Sequence, residues 1–511
     1  MKKRSDTWAD RAVMEPTQYI QLSDSENEGK TEALLLGAQK STKLDQLFLP
    51  GDAGIAAFFY LPRPMEEIGL RARDVLRKPL RLLQMTNRAV GVLPYRFCES
   101  RGKYEMAWKS VPCAHTLLTG VYMTALILTA ATGIARRIMA NDFFGGGPEV
   151  RNVQGIKLMG IILVGGNLFN AWFQVFFVLY VSPRYCSLLN SWNVLAEASA
   201  LDPTAGVRAA VYKLVGFLAV FWLVVFLMTV AGEPKIVSHV LDGVAETLLL
   251  VPPSWLARAA PTAKVVRLLV CFVCLHIFGI FKGSLFSFTT NCHMLKNGFA
   301  AWNKQLATGL EDIWRRQDKT RGRLGHLVQS HCHLVSLVRE TEAIFGPMLQ
   351  CYYASTVVIL CTELYLLAYR IGSKDYSVDS VVTTGLLTLQ TAAVFVQVSL
   401  AAGAVEEVAN DSVDVLRRGL PYNTSERDRF NRDELVTALT GSQISITGGK
   451  FFVINRPFII TVISAVVTYF IVMIQFMQPG LEAVHEQPLA GGLNITVDNA
   501  TTLDSLADSL L

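Results

Sequence analysis

Charge is what this chain has least of. Asp, Glu, Lys and Arg make up 17% of its 511 residues, against roughly 25% in soluble domains. With 51% hydrophobic residues, it is not an ordinary soluble protein. The opening Met-Lys-Lys-Arg-Ser-Asp-Thr is basic but is followed by no apolar run, so no cleaved signal peptide is expected. The nine cysteines fall mainly in hydrophobic segments or in segments expected to be cytoplasmic, which argues against an extracellular disulfide framework. There is no Gly-rich phosphate loop, nucleophile elbow or carboxylate pair to suggest an enzyme. Nothing calls for a cofactor, a metal or a nucleic-acid partner. Sequons for N-glycosylation are missing from the first 400 residues, and Lys and Arg are missing from 478–511.

What is abundant is long apolar runs. Seven candidate spans lie at about 114–135, 158–181, 211–231, 265–288, 348–371, 381–404 and 456–477. Each is near the ~20 residues that a helix needs to cross hydrocarbon. The fourth carries Arg267 near one end and Lys282 towards the other, where the charged heads can snorkel.

The basic residues set a direction. With the N-terminus inside, 1–113, 182–210, 290–347 and 406–455 hold 34 Lys and Arg, and the opposite side holds 6. Leaving out the long N-terminal segment, whose charges count for less, the split is 16 to 6. Arg136-Arg137 goes against the trend. Of the four sequons, Asn494 and Asn499 fall in the basic-free tail, while Asn410 and Asn423 would be cytoplasmic and unused. The expected fold is an all-α membrane protein of seven transmembrane helices, N-terminus cytoplasmic and C-terminus extracellular. That is the reverse of a G-protein-coupled receptor.

Outside the spans, residues 1–60 are polar and read as disordered. Residues 64–83 alternate Ile68, Leu70, Val75, Leu76, Leu80 and Leu82 with Arg71, Arg73, Arg77, Lys78 and Arg81. A helix there would either lie on the lipid surface or pack on its neighbours in solvent. Segment 290–347 reads as cytoplasmic extensions of spans four and five. The division is therefore a cytoplasmic segment 1–113, spans one to six over 114–404, a cytoplasmic region 405–455, the last span 456–477 and an extracellular tail 478–511.

The last span holds Thr468-Tyr469, five apolar residues, then Gln475-Phe476. A helix drifts only about 20° per seven residues, so Thr468 and Gln475 share one stripe and Tyr469 and Phe476 the next. A membrane helix that keeps a Thr and a Gln on one face has something polar to meet: water, ions or a partner helix. The same pattern is the signature of the last helix of insect gustatory receptors, which this chain resembles. Gly91-Val92-Leu93-Pro94 is similar to the element that family carries before its first span. Gly448-Gly449-Lys450-Phe451-Phe452-Val453-Ile454-Asn455-Arg456 resembles a run found in its carbon dioxide receptors, with a related run in sugar receptors.

The resemblance implies a homo- or heterotetrameric, ligand-gated, non-selective cation channel in the plasma membrane of a chemosensory neuron, detecting a taste compound or carbon dioxide. Segments 290–347 and 405–455 would join the last span in a central anchor domain. Gln475 would form a polar ring, with Phe476 part of the constriction and Thr468 and Tyr469 behind them. The ligand would lie in the outer halves of spans two to six, where Trp222, Glu363, Tyr365 and Gln390 fall.

On the residues alone, interhelical hydrogen bonding competes with those roles. A carboxylate at Glu363, mid-span, costs about 2.5–3.5 kcal/mol on insertion scales and must face the bundle interior. Asn167, Asn170, Trp172, Gln174, His276 and Gln397 are further candidates for a pocket between helices. Cys271 and Cys274 have metal-site spacing, but in a hydrophobic helix they read as buried small hydrophobes. His331-Cys332-His333 points in different directions and reads as structural. A G-protein-coupled-type receptor and a secondary transporter using Glu363 are the competing functional classes.

Overall fold

The computed structural model describes residues 75–139, 148–199, 201–231, 242, 244–246, 249–256, 261–315, 323–372, 378–418, 433, 436–437 and 444–485, some of them in backbone only. Residues 1–74 lie outside it, and with them most of the 64–83 segment and the N-terminal stretch read as disordered.

The elements in chain order are α1 (Arg77–Ala89), a hairpin of β1 (Arg96–Cys98) and β2 (Lys103–Glu105), α2 (Val111–Met139), α3 (Pro148–Ser199), α4 (Val207–Ala231), the short α5 (Pro253–Leu256), α6 (Pro261–Arg315), α7 (Arg323–Gly372), α8 (Val378–Arg418), a second hairpin of β3 (Thr447–Gly448) and β4 (Phe452–Val453), and α9 (Arg456–His485). Six described helices, α2, α3, α4, α6, α7 and α8, are long and apolar enough to cross a membrane. The chain is a multi-pass membrane protein. In α9 the apolar stretch among described residues is Arg456–Val472.

Several helices far exceed the bilayer. α3, α6 and α7 have 52, 55 and 50 residues, about 75–83 Å each at 1.5 Å per residue, against roughly 30 Å of hydrocarbon. α6 and α7 run on as the 290–347 extensions expected from the sequence. Their distal halves pack around fully buried Trp192, Phe299 and Trp302. Polar links tie the same region. Trp302 Nε1 donates to the Leu327 carbonyl (2.9 Å), Gln305 Nε2 to the Ser199 carbonyl (3.1 Å), and Asn303 Nδ2 to the Val408 carbonyl (2.9 Å).

α1 is amphipathic, with Leu76, Leu80 and Leu83 buried and Arg77, Lys78, Arg81 and Arg88 exposed. Its apolar stripe joins the core beside α4 and α6. Protein packing uses up that stripe, so any lipid contact falls to the basic side. The chain leaves α1 through Gly91 at φ +76. A Cβ there would stand 2.1 Å from Thr119 Oγ1 of α2, so both the left-handed backbone and the close approach require glycine. The turn then seats on α6: Gly279 and Gly283 let Val90 and Asn87 approach, Asn87 Nδ2 donates to Ser287 Oγ (2.9 Å), and His276 Nε2 bonds the Val90 carbonyl (3.1 Å). His276, a pocket candidate from the sequence, holds this turn.

One amide pairs with the edge of the first hairpin. Asn190 of α3 accepts from the Tyr104 N–H (2.8 Å) and donates to the Tyr104 carbonyl (3.0 Å), standing in for a neighbouring strand.

Gly91→Ala is expected to lower the thermal midpoint of the detergent-solubilised protein markedly, because it adds a steric clash to backbone strain of order 1–3 kcal/mol. Gly385→Ala, where a Cβ would meet nothing within 4 Å, is expected to leave it nearly unchanged.

Candidate pore helix and intramembrane polar cluster

The base of α9 is a built joint of hydrogen bonds, ring contacts and an ion pair. The run from Gly448 to Arg456 supplies nearly every part of it. The β3–β4 loop turns through Gly449 (φ +60) and Lys450 (φ +66), with the Phe451 N–H bonded to the Gly448 carbonyl (3.1 Å). Thr447 Oγ1 meets the Glu342 carboxylate of α7 and also accepts from the Lys450 N–H (3.1 Å). A Cβ on Gly346 would lie 3.3 Å from the Gly449 nitrogen, so hairpin backbone rests against helix backbone.

Phe452 then stacks face to face on Phe458 (4.7 Å, 2°), and Tyr353 of α7 meets both rings edge-on (5.5 and 5.1 Å). Phe395 of α8 closes the cluster on Tyr353 (5.7 Å), whose hydroxyl pairs with Ser399 Oγ (2.8 Å). Asn455 caps α9, its Oδ1 accepting from the Phe458 N–H (3.1 Å). Arg456 Nη2 donates to both carboxylate oxygens of Glu407 of α8 (3.0 and 2.8 Å). Sequence reasoning found the hairpin run but missed its receivers Glu342, Tyr353, Phe395 and Glu407. The Gly346-Pro347 pair inside α7 was the one local signal for them.

Beyond its base, α9 commits a narrow stripe to its own bundle. Ile459 and Val466 are buried and Val462 packs beside them. Thr461, Ser464, Thr468 and Gln475 are all exposed. This row is offset by two residues from the buried one, about 200° round the helix. The polar residues therefore look directly away from the bundle. Thr468 Oγ1 donates to the Ser464 carbonyl (2.8 Å). Tyr469 is 60% exposed on an adjoining face. The Phe476 side chain, like all of Asn494 and Asn499, lies outside the described residues.

The ligand candidates gather only in part. Glu363 (α7) is buried; its Oε1 accepts from Thr391 Oγ1 of α8 (3.2 Å) and its Oε2 meets no partner among the described residues. Gln390, next in sequence to Thr391, is buried with neither amide atom partnered among the described residues. Lys282 of α6 does not snorkel. It is 2% exposed, its ammonium 4.7 Å from the Phe281 ring centre and within electrostatic reach of Glu363. The core around α6 is wide enough at this level to enclose it. Trp222 of α4 is buried with its indole N–H unpartnered among the described residues, and its ring meets Phe278 at a tilt (5.0 Å, 58°), one turn from Lys282. Tyr365 is half-buried and, two residues past Glu363, points to another side of α7.

The remaining candidates go elsewhere. Asn167 bonds its own helix at the Leu163 carbonyl (2.8 Å), and Trp172 Nε1 donates to Thr124 of α2 (3.0 Å). Asn170 faces Cys351 of α7, and Gln174 is buried with its oxygen unpartnered. Gln397 lines an open groove. His331 is buried against Trp302 (4.8 Å) and Phe299, and among the described residues no group of His, Cys, Asp or Glu is arranged to hold a metal.

A bundle of membrane-length helices whose last helix is bolted on by a hairpin, with buried polar groups between its middle helices, has the build of a multi-helix receptor. The model of the 7tm chemosensory receptor family matches residues 80–478, and the chain belongs to that family, one of receptors and not of enzymes. It is similar to the odorant receptor coreceptor of Anopheles gambiae, 26% identical over 165 residues; the match spans 32% of this chain and 33% of the coreceptor. The solved insect olfactory receptor OR5 of Machilis hrabei, determined with eugenol and alone, shares the fold. The TM-scores are 0.59 and 0.58 at 15% identity, over 79% of this chain and 100% of that one.

Tyr353→Ala is expected to cost about 3–5 kcal/mol of stability, as for a buried aromatic. Glu407→Ala, an exposed ion pair, is expected to cost less than about 1 kcal/mol. Thermal unfolding in detergent checks both.

Proposed function

We propose that this chain is a gustatory-type receptor subunit: a ligand-gated, non-selective cation channel that crosses the membrane seven times, with α9 from each of four copies around the pore. The single observation that carries it is the row Thr461, Ser464, Thr468 and Gln475, exposed and opposite the packed stripe of α9. In hydrocarbon such a row is unfavourable. Around a water-filled axis it is a lining, with Gln475 presenting an amide to passing ions and Tyr469 and Phe476 beside it. The distribution of Lys and Arg supports an N-terminus inside and a C-terminus outside, with Asn494 and Asn499 available for glycosylation.

The ligand is a small molecule held between α4, α6, α7 and α8, at Trp222, Glu363 and Gln390, with Tyr365 at the margin. Unpartnered buried polar atoms at all three support this, since such groups ordinarily find a partner in protein, water or ligand. The solved OR5 receptor with eugenol is in keeping with a small organic ligand. The Gly448–Arg456 run supports the gustatory type and its carbon dioxide branch. The Anopheles coreceptor similarity favours an odorant type as the second reading. The setting is the plasma membrane of a chemosensory neuron, alone or in tetramers with related subunits.

The test is expression alone and with candidate co-subunits, under a panel of sugars, bitter compounds, odorants and carbon dioxide. Ligand-evoked cation current is the expected result, and Gln475→Ala is expected to shift the reversal potential under bi-ionic conditions while leaving surface abundance unchanged. A chain that reaches the surface in every combination and never conducts contradicts the proposal, as does an N-terminal tag accessible on intact cells.

Gln390→Leu separates ligand contact from structural glue. Replacing a buried amide that has no partner among the described residues by a slightly smaller apolar side chain costs little, so the fold is expected to hold while the evoked current falls. A variant that responds like the original removes Gln390 from the site.

A further inference from the structure

A wide opening among the described residues lies away from the polar cluster. It is a groove of about 1050 Å³ between α4, α6 and α8, reaching the start of α9. Its wall on α8 runs through Leu389, Ala393, Val396 and Leu400. That stretch is about 16 Å long at 1.5 Å per residue, half of the roughly 30 Å hydrocarbon core. It is the depth of one leaflet.

The other end of the groove is cationic. Lys213 of α4, His293 and Lys296 of α6, and Arg456 of α9 line it, and the one lining carboxylate among the described residues is Glu407. Glu407 is already taken by the two-pronged contact with Arg456. Lys213 and Lys296 have no ion pair among the described residues, and Lys296 lies close enough to His293 to act on it electrostatically. Asn297 fixes this end by donating to the carbonyls of Pro203 (3.2 Å) and Ala205 (2.7 Å), which holds the start of α4 beside Lys296. Lys213 sits six residues inside α4, and its four-carbon stem is long enough to bring its ammonium towards the same end.

A trough one leaflet deep with uncommitted amines at its mouth has the polarity of an amphiphile. We propose that it binds an anionic glycerophospholipid, the phosphate held among Lys213, Lys296 and His293 and one acyl chain lying along Leu389 to Leu400. A soluble phosphate makes no use of the trough. A zwitterionic lipid brings its own cation to a place that already has an excess of them. The site is independent of the channel reading, because the lipid binds whether or not the chain conducts.

The full chain, reconstituted in nanodiscs of phosphatidylcholine with graded phosphatidylserine and released into mild detergent, allows retained lipid to be counted by native mass spectrometry. Phosphatidylserine is expected to be retained in preference to phosphatidylcholine. Each amine removed should weaken that preference about fivefold, so Lys213→Gln with Lys296→Gln should weaken it about twentyfold or more. Lys213→Arg with Lys296→Arg should preserve it, and Lys109→Gln, exposed and outside the groove, should leave it unchanged. Millimolar glycerol 3-phosphate should not displace the lipid. Equal retention of the two lipids overturns the proposal, and so does unchanged retention in the double Gln variant. Displacement by glycerol 3-phosphate makes it a bare phosphate site and also overturns it. If the double variant loses oligomers while its lipid count holds, a second copy covers the groove and the lipid assignment fails. Should that variant not fold, the wild-type lipid preference and single Lys296→Gln decide between the same outcomes.

Discussion

In the channel proposed for this chain, α9 is a membrane helix that leaves uncovered a row of hydroxyls and an amide, which cannot face hydrocarbon without cost. Its bundle takes Ile459 and Val466 and turns Thr461, Ser464, Thr468 and Gln475 the other way. Much else in the molecule makes sense as support for that arrangement. A helix with so narrow a stripe on its own subunit needs a stiff base. The Phe452–Phe458 stack, the Tyr353 edge contacts and the Asn455 cap supply one. In the proposed tetramer the remaining faces meet other copies or line the pore.

In the channel reading, ligand and pore share two helices. Glu363 and Tyr353 both belong to α7, ten residues or about 15 Å apart, and Thr391, Phe395, Ser399 and Glu407 follow one another along α8. A small molecule that changes the spacing of α7 and α8 at the Glu363–Thr391 contact acts on the same pair that grips the foot of α9. The coupling would run through packed side chains with few alternatives at each step.

The helices were legible in the sequence because hydrocarbon imposes length and apolarity together. All six membrane-length helices fall on expected spans, and the 290–347 extensions are helical where described. Gly91 was legible as a motif, but its reason is tertiary: Thr119 sits where a Cβ would go. The last span revealed Thr468 and Gln475 through their seven-residue spacing. Thr461 and Ser464, common residues in any helix, joined the row only once the buried stripe was known. Polar residues between spans were harder to place. Periodicity puts a residue on a face, but the partner across from it depends on how helices are rotated against one another. Hence His276 belongs to the α1 turn and Trp172 to Thr124, while Glu363 and Gln390 stay near each other. Lys282 was misplaced because distance along a span was taken for distance from water.

The most direct measurement is cysteine accessibility along α9. Single cysteines at Thr461, Ser464, Thr468, Ile460 and Ile463 would each be challenged, during ligand-evoked current, with a membrane-impermeant, positively charged thiosulfonate. Current is expected to be blocked at the three polar positions and spared at Ile460 and Ile463. Reaction at all five alike, or at neither set in a chain that still conducts, would place the ion path elsewhere.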